Sequence, residues 1–465
     1  MSQLSLSNLV KTAAHAVEGF FHAPAPEVDS KPQLDLSKQG APDAGFQPGL
    51  ELSQGPAKLS ALGKAKLELI AEYGFGKGAE GGLSKRGPTP FAGFISAARI
   101  QALAGTGVPE RLPLSEAELN KTSNQKKISD FFKKAGQFGD FSSDVPTPEG
   151  KPVKIRYAAF TPPEGVPIRA VLNLNSGRTE SMVSKYAETI YELRELIASG
   201  VAVIMADHRG QGFSDRLLDD PDKGYVQHFD DYLKDVNKFT QLMQSALGPR
   251  LSEDATWTIA GHSMGGGIVT RFLEEYAGHH PYTQGYGLSP MEGVQVLPKS
   301  WDVPVVVADP LENVVGDALM LKGATDFAPG KGGYKAGSFE GNTLTGSKAR
   351  FVQMTNNEER TRAIQLGGPT TGWVHRAIEA GDKIVNDAKK IDIPFMIIRS
   401  QDDTIVNTDA QDQLAKAGGF PEQSFHREGL PVGHELLQEK DDVRGAVLDI
   451  LTEPLIAQLI QSKQA

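Results

Sequence analysis

From Val153 onward, short β-prone runs alternate with stretches of helical period, and this alternation confines the chain to a mostly parallel sheet covered by helices on both faces. The runs are Val153 to Phe160, Arg169 to Leu174, Val201 to Ala206, Trp257 to Ala260, Gln284 to Leu288 and Pro394 to Arg399. With 465 residues the chain can bury a sizeable core, and 39% hydrophobic against 23% charged residues is the balance of a globular protein. No internal repeat is evident. The longest apolar runs, such as Val201 to Ala206 and Val303 to Ala308, fall far short of the roughly 18 residues that a membrane-spanning helix needs.

The region before Val153 reads differently. Leu9, Val10, Ala13, Val17, Phe20 and Phe21 recur near helical spacing, so Ser7 to Phe21 is expected as a short amphipathic helix with Ser7 as N-cap. Docking on the protein is the simpler use of such a helix, since Lys11 alone lies near it to attract anionic lipid; transient membrane contact or export stays open. His22 to Pro56, punctuated by six prolines, reads as a linker. Helical patterns return at Ala57 to Glu72, Phe91 to Ala104 and Ser115 to Lys134, the last opening on the capping-box residues Ser115 and Glu118. Expected units are a linker-like segment over 1–60, a small helical accessory over 61–140 and the main domain over 141–465. Met1 to Phe21 lacks the basic and uninterrupted apolar regions of a secretory signal, so a cytoplasmic location is the default and signal-independent export remains open.

Charge and cysteine content narrow the function. Lys and Arg number 48 against 58 Asp and Glu, a net charge of -10 that disfavours nucleic acid in the absence of a basic patch. There are no cysteines, which removes disulfides, thiolate zinc sites and a cysteine nucleophile. The pair His279-His280 ends a helical stretch before Pro281 with no acidic partner expected nearby, and no metal site is expected there.

The chemistry gathers at Gly261, His262, Ser263, Met264 and Gly265, which fit G-x-S-x-G. With 50 glycines in the chain, chance alone supplies about 0.4 such matches, so the context must decide. The β-prone run Trp257 to Ala260 leads in, and Gly266 to Tyr276 leads out with helical period. This is the strand, sharp turn and helix that exposes a serine at a helix N-terminus, where the dipole and free N–H groups favour a developing oxyanion. A serine at its free pKa is a poor nucleophile and needs a histidine base oriented by a carboxylate. In this arrangement the acid follows the serine and the histidine comes last. Asp402 and Asp403 follow the run Pro394 to Arg399, and spacing to Val406, which re-enters the core, favours Asp403, leaving Asp402 as a turn or cap residue. Of the histidines beyond them, His434 follows Gly433 in a loop, whereas His426 sits in the apparent last strand; His434 is the expected base. Two amides must hold the oxyanion. Met264, directly after the serine, is one, and Arg178, in the loop Asn175 to Arg178, is the other.

Four blocks of the sequence then resemble the α/β-hydrolase superfamily, in the branch of bacterial lysophospholipases, monoacylglycerol lipases and serine aminopeptidase-type hydrolases. They are Ser176 to Ser181 with Tyr186, Asp207 to Ser214 with Arg216, Gly261 to Gly266, and Gly367 to Val374. The likeness runs on through Leu217 to Pro221 and His228, Phe229, Asp231 and Tyr232, and covers roughly Tyr157 to Ile456. It implies an α/β-hydrolase fold with an inserted lid and acyl-ester hydrolysis through an acyl-serine, completed by water and with no cofactor. A His-Gly pair is frequent in the family where Ser176 precedes Gly177 here. Asp207 to Ser214 is expected to knit the carboxyl edge of the sheet, with Arg209 holding a loop by hydrogen bonds. The long stretch from Ser289 to about Asp392 is expected as the lid, over about 290–390: a mobile loop at Gly323 to Gly346, then helices on either side of a glycine-rich break within Glu358 to Ala388. Its stripe Trp373, Val374, Ala377 and Ile378 reads as lid core.

The expected substrate is a single-chain glycerolipid, lysophospholipid before monoacylglycerol. A short-chain carboxylesterase and an exported lipase effector are the alternatives within enzymes. A non-catalytic binding module of the same fold is disfavoured because Ser263, Asp403 and His434 are all present. Head group, acyl length and oligomeric state are not legible at this stage.

Overall fold

A computed structural model describes residues 108–109, 111–294, 315–321, 323–427 and 429–462. The expected helices before Ala104 and the linker lie outside the described residues. Eight strands form one sheet in the order β1-β2-β4-β3-β5-β6-β7-β8. They are β1 (Gly136–Ser142), β2 (Lys154–Phe160), β3 (Ile168–Asn175), β4 (Val201–Ala206), β5 (Leu251–His262), β6 (Gln284–Leu288), β7 (Phe395–Ser400) and β8 (Glu422–Phe425). The pairs β1 with β2 and β2 with β4 are antiparallel, and every other neighbour is parallel.

Side-chain alternation explains why the sheet is buried on both faces. In β4, Ala202 and Ile204 enter one apolar cluster while Val201, Val203 and Met205 enter the other. In β3, Val171 points to the first cluster, and Ala170, Leu172 and Leu174 to the second. A continuous apolar run with period-two division is what a parallel strand covered twice requires. The second face is covered by α1 (Thr122–Ala135), α2 (Met182–Glu192) and α8 (Asp441–Gln461). The first is covered by α3 (Asp230–Leu247), α4 (Met264–Glu275) and α6 (Thr371–Asp387). Two further helices, α5 (Lys348–Arg360) and α7 (Thr408–Gly418), complete the set used below.

Local chemistry fixes several helix starts. Ser181 caps α2 in a reciprocal capping box with Ser184, Thr370 accepts from the amide of Trp373 at the start of α6, and Asn407 caps α7. Asp441 and Asp442 lie in the first turn of α8, where they complement the helix dipole.

Three sequence expectations change. The capping box at Ser115 and Glu118 forms, but its helix spans only Glu116–Leu119, and α1 begins afresh at Thr122, so Ser115 to Lys134 is two helices. Strand β1 was not expected: its sequence GQFGDFS has two glycines and little apolar content, and it is held as an edge by antiparallel pairing to β2 rather than by propensity. Strand β5 starts at Leu251, six residues before Trp257: Leu251 pairs with Ile168 of β3, and the regular pairing resumes at Thr256 with Ala170 after a register shift across the polar stretch between them. No helix among the described residues is long and apolar enough to cross a membrane.

Candidate active site

The carboxyl ends of parallel strands point their loops to one edge, the usual place for a site in such sheets. Four of these ends supply it here: β3, β5, β7 and β8. At the end of β5, Ser263 takes φ 52° and ψ −122°, a conformation that costs a non-glycine residue on the order of 1–3 kcal/mol. The surroundings hold it there. Its amide donates to Leu288 O of β6 at 3.0 Å, and its carbonyl accepts from the amides of Met291 and Gly267 at 2.8 and 3.1 Å. The flanking glycines are required by contact: a Cβ at Gly261 would lie 2.1 Å from Gly265 O, and one at Gly265 would lie 2.4 Å from Ser176 O. Thus the G-x-S-x-G spacing lets helix α4 approach both its own strand and the loop after β3.

Asp403 and His434 meet from the loops after β7 and β8. His434 Nδ1 and Asp403 Oδ2 are 2.7 Å apart, and both side chains are almost wholly buried. Burial raises the Asp403 pKa, but His434 and the amides of Ile405 and Val406 outweigh it and hold the carboxyl below its usual range. An ionised carboxylate only accepts, so Nδ1 carries the proton of this pair, and in the neutral ring the lone pair is then on Nε2. Nε2 has no hydrogen-bond partner among the described residues. The two loops are tied together, since Ser400 Oγ donates to Val432 O at 2.6 Å and Gln401 N to Phe425 O at 2.9 Å. Asp402 is separate from this pair: its Oδ2 meets His426 Nδ1 at 3.2 Å and accepts from Val432 N at 3.3 Å. His426 lies just beyond β8 and is exposed.

The loop after β3 adjoins the elbow, because Asn175 pairs with Gly261 across the sheet. Its shape is fixed from two sides. Gly177 N donates to Glu180 Oε2 at 2.6 Å, and Gln211 Nε2 donates to the carbonyls of Gly177 and Glu180 at 2.7 and 3.1 Å. Asp207 accepts from Met182 N and Phe213 N, and Arg209 forks onto Asp235 with Nε and Nη2 at 2.6 and 2.9 Å, so the 207–214 segment does knit this edge.

A buried ionic cluster underlies the site, and sequence reasoning missed it. Lys185 Nζ donates to Glu180 Oε1 at 2.9 Å and to His262 Nδ1 at 3.3 Å, and also pairs with Glu435 Oε2. His262 Nε2 donates to the His434 carbonyl at 3.2 Å, and the two rings lie 4.8 Å apart. Burial, then the Lys185 charge, pulls the His262 pKa down to about 4, so this ring is neutral near pH 7 and its Nδ1 accepts from Lys185. Burial raises Glu180, but Lys185 and His262 outweigh it and leave the carboxylate well below its usual range. Glu180, His262 and Glu435 have ligand atoms within 4.8 Å of one another, a spacing that suits a metal, but the Lys185 ammonium pairs with both carboxylates and the ring and supplies the positive charge. The only hint in the sequence was that Glu180 falls within the Ser176 to Ser181 block; nothing marked Lys185 or Glu435.

The insertion between β6 and β7 reaches this edge. Helices α5 and α6 flank a break at 361–370, but α5 runs over Lys348–Arg360 and lies almost wholly before the expected span Glu358 to Ala388; Trp373, Val374, Ala377 and Ile378 are buried in the same cluster as α4. The 323–346 segment, expected as a mobile loop, is fastened at its end: Glu435 N donates to Leu344 O at 2.7 Å and His434 N to Thr343 O at 3.3 Å. The expectation that His279-His280 lacks an acidic neighbour is also corrected, since His280 Nε2 lies 3.4 Å from Asp392, which is distant in sequence and brought near by the fold.

Comparison with known proteins agrees with this architecture. The family described as serine aminopeptidase, S33, matches residues 166–441. A probable lysophospholipase L2 of Haemophilus influenzae is 31% identical over 296 residues, covering 64% of this chain and 86% of that protein. The lysophospholipase L2 of Escherichia coli is 31% identical over 318 residues, with the same coverage. Among solved structures, a lipase in its open form superposes with a TM-score of 0.50 at 17% identity, over 70% of this chain and 99% of the other, which bears on the fold alone. The matched span runs from the start of β3 into α8 and takes in all four strand ends that build the site, and the chain belongs to the serine aminopeptidase S33 family of α/β hydrolases.

Proposed function

We propose that this protein is a serine ester hydrolase that cleaves the acyl ester of single-chain glycerolipids, lysophospholipids first and monoacylglycerols second. The observation that carries the reading is the buried Asp403–His434 pair, whose Nε2 has no partner among the described residues and is the atom that would receive a serine proton. In this reading Ser263 Oγ attacks the acyl carbonyl carbon while His434 Nε2 takes its proton. The ester bond breaks, the glycerol oxygen leaves with that proton, and an acyl-serine remains. Water then attacks the acyl carbon while His434 Nε2 takes one of its protons, and that proton passes to Ser263 Oγ as the acyl–serine bond breaks and a fatty acid is released. The amides of Arg178 and Met264 are assigned to the oxyanion; the tightly held loop around Gly177 supports the first and the start of α4 the second. Asp403 keeps the His434 proton on Nδ1 and offsets the imidazolium that forms. Lysolipid as the substrate class is supported by the names of the two bacterial relatives.

The test is fatty-acid release from lysophosphatidylcholine and from monoacylglycerol by wild type and Ser263→Ala, with a short-chain ester as control. Release from the lipids by wild type alone supports the proposal. Turnover of the short ester with neither lipid would favour a carboxylesterase, and Ser263→Ala turnover near the wild-type rate would overturn the assignment of Ser263. We place the activity in the cytoplasm, and cell fractionation tests that; recovery in the culture medium would favour the exported reading.

A further inference from the structure

Lys185 of α2 lies where three loops of the site meet, and an ammonium with three protons faces one acceptor from each. Glu180 belongs to the loop after β3, His262 to the elbow and Glu435 to the loop after β8. Nζ donates to Glu180 Oε1 at 2.9 Å and to His262 Nδ1 at 3.3 Å, and it pairs with Glu435 Oε2. All four side chains are buried. Each acceptor leads on to a part of the catalytic machinery. Glu180 Oε2 accepts from Gly177 N at 2.6 Å, and a Cβ on Gly177 would lie 3.1 Å from both Glu180 Oε1 and His262 Nδ1. The loop that carries the Arg178 amide therefore rests on this pair. His262 precedes Ser263, and Glu435 follows His434.

A neutral imidazole carries one proton, and the surroundings of His262 offer it two places. On Nε2 the proton goes to the His434 carbonyl at 3.2 Å, and Nδ1 accepts from Lys185. On Nδ1 it would go to Glu180 Oε1 at 3.1 Å, and the Nε2 lone pair would face the His434 carbonyl, an acceptor against an acceptor. Glu180 pulls the proton toward Nδ1, and Glu435 Oε2, 3.7 Å from Nε2, pulls it the other way. The ammonium decides, because it only donates and so forbids a proton on Nδ1. It also opposes a second proton on the ring: burial and then the Lys185 charge draw the His262 pKa down to about 4. A charged His262 would lie against the His434 ring, 4.8 Å away, which must itself become an imidazolium during turnover.

We infer that Lys185 is a positioning residue for the base: by keeping His262 neutral with its proton on Nε2, it ties the backbone of His434 to the residue before Ser263 and so places the base relative to the nucleophile. This rests on the ester-hydrolase reading and extends it from the triad to the groups that align it. The His434 amide is anchored to the insertion, donating to Thr343 O at 3.3 Å. Its carbonyl accepts from Leu436 N at 3.1 Å, within its own loop, and from His262, which belongs to the elbow. The His262 bond is thus the one that joins the base loop to the nucleophile's own turn. Without Lys185 the ring either moves its proton to Nδ1, which sets two acceptors against each other, or takes a second proton beside the base. Both changes reach His434, and a displacement of about 1 Å at a reacting group costs about 100-fold in rate.

The test reads the proton and the rate together. In full-length protein labelled with ¹⁵N-histidine, the His262 nitrogens are assigned by their absence from His262→Gln. Wild type should show Nε2 protonated and Nδ1 bare from about pH 7 to about pH 5, above the His262 pKa of about 4. Lys185→Met should carry a proton on Nδ1, and its kcat on lysophosphatidylcholine and on a short p-nitrophenyl ester should fall by about 10- to 100-fold with KM within a few-fold. Adding Glu180→Gln keeps the charge balance of the cluster. The new carboxamide can donate to His262 Nδ1 with its nitrogen and accept from Gly177 N with its oxygen, so Lys185→Met/Glu180→Gln should regain the wild-type ring state and most of the lost kcat. A wild-type ring that is charged at pH 7, or protonated on Nδ1, would overturn the inference, and that spectrum needs no variant of Lys185 to fold. A double variant with the wild-type ring state but without its kcat would overturn it too, as would losses in both variants that only follow their Tm, which would make Lys185 a counter-charge for buried carboxylates. Wild type with the expected ring state that hydrolyses neither ester would instead overturn the ester-hydrolase reading.

Discussion

At the scale of single residues, the division of labour between Asp402 and Asp403 follows from what each touches. Asp403 is buried against His434 Nδ1, whereas Asp402 meets the exposed His426 and one amide. Asp403→Asn keeps the shape but can present an N–H to Nδ1, which moves the imidazole proton to Nε2 and blocks the base. Its kcat should fall by roughly 10³–10⁴ with a small change in Tm, while Asp402→Asn should stay within a few-fold of wild type, as steady-state rates on a single ester will show. The reverse ranking would move the acid to Asp402. Sequence spacing alone preferred Asp403 through Val406, and the structure supplies the contact behind that preference: Asp403 Oδ1 accepts from the amides of Ile405 and Val406, so the spacing is that of a tight turn. The Lys185 cluster was not legible, because Glu180 and Lys185, His262, and Glu435 come from three separate stretches of the chain and reveal a buried network only when the fold brings them together.

At the scale of elements, the strand, elbow and helix were readable because three constraints coincide within a few residues. The strand must be apolar, the serine must turn sharply, and the helix must start beside the loop after β3. Gly265 is where the last constraint is tightest, with Ser176 O and Asn175 O within 2.4 and 2.5 Å of where a Cβ would sit. Gly265→Ala should therefore push α4 away from that loop, costing about 1–3 kcal/mol by denaturant unfolding, and lowering kcat by more than the stability loss accounts for. A variant with wild-type stability and turnover would show that the elbow has slack. Elements of weak propensity were the illegible ones. Strand β1 depends on its seven pairings to β2, and the amino half of β5 is joined to β3 only at Leu251 before a register shift; neither carries an apolar period of its own.

At the scale of the whole molecule, the parallel sheet was legible from alternation of run and helix, whereas the carboxylates buried beside the core were not. Glu292 is fully buried; Thr270 donates to Oε1, Oε2 has no partner among the described residues, and burial pushes its pKa up to about 8. Its folded pKa lies above the ordinary Glu value near 4.3, so the folded state binds more protons over that interval and stability falls as pH rises. Glu292 thus contributes a loss of up to about 1.4 kcal/mol per pH unit from about pH 5 to pH 8. Glu292→Gln, which mimics the protonated acid, should match wild type near pH 5 and become the more stable protein at pH 8, as Tm against pH will report. Parallel curves for the two proteins would show that Glu292 does not titrate in this range.

We propose Ser263 as the nucleophile, activated by His434. The most direct measurement is labelling of the intact protein with a serine-directed fluorophosphonate, followed by peptide mass spectrometry and residual fatty-acid release from lysophosphatidylcholine. One adduct is expected, on Ser263, formed in step with loss of hydrolysis and greatly slowed in His434→Ala. An adduct on another serine that tracks the loss of activity, or full hydrolysis with Ser263 completely labelled, would contradict it.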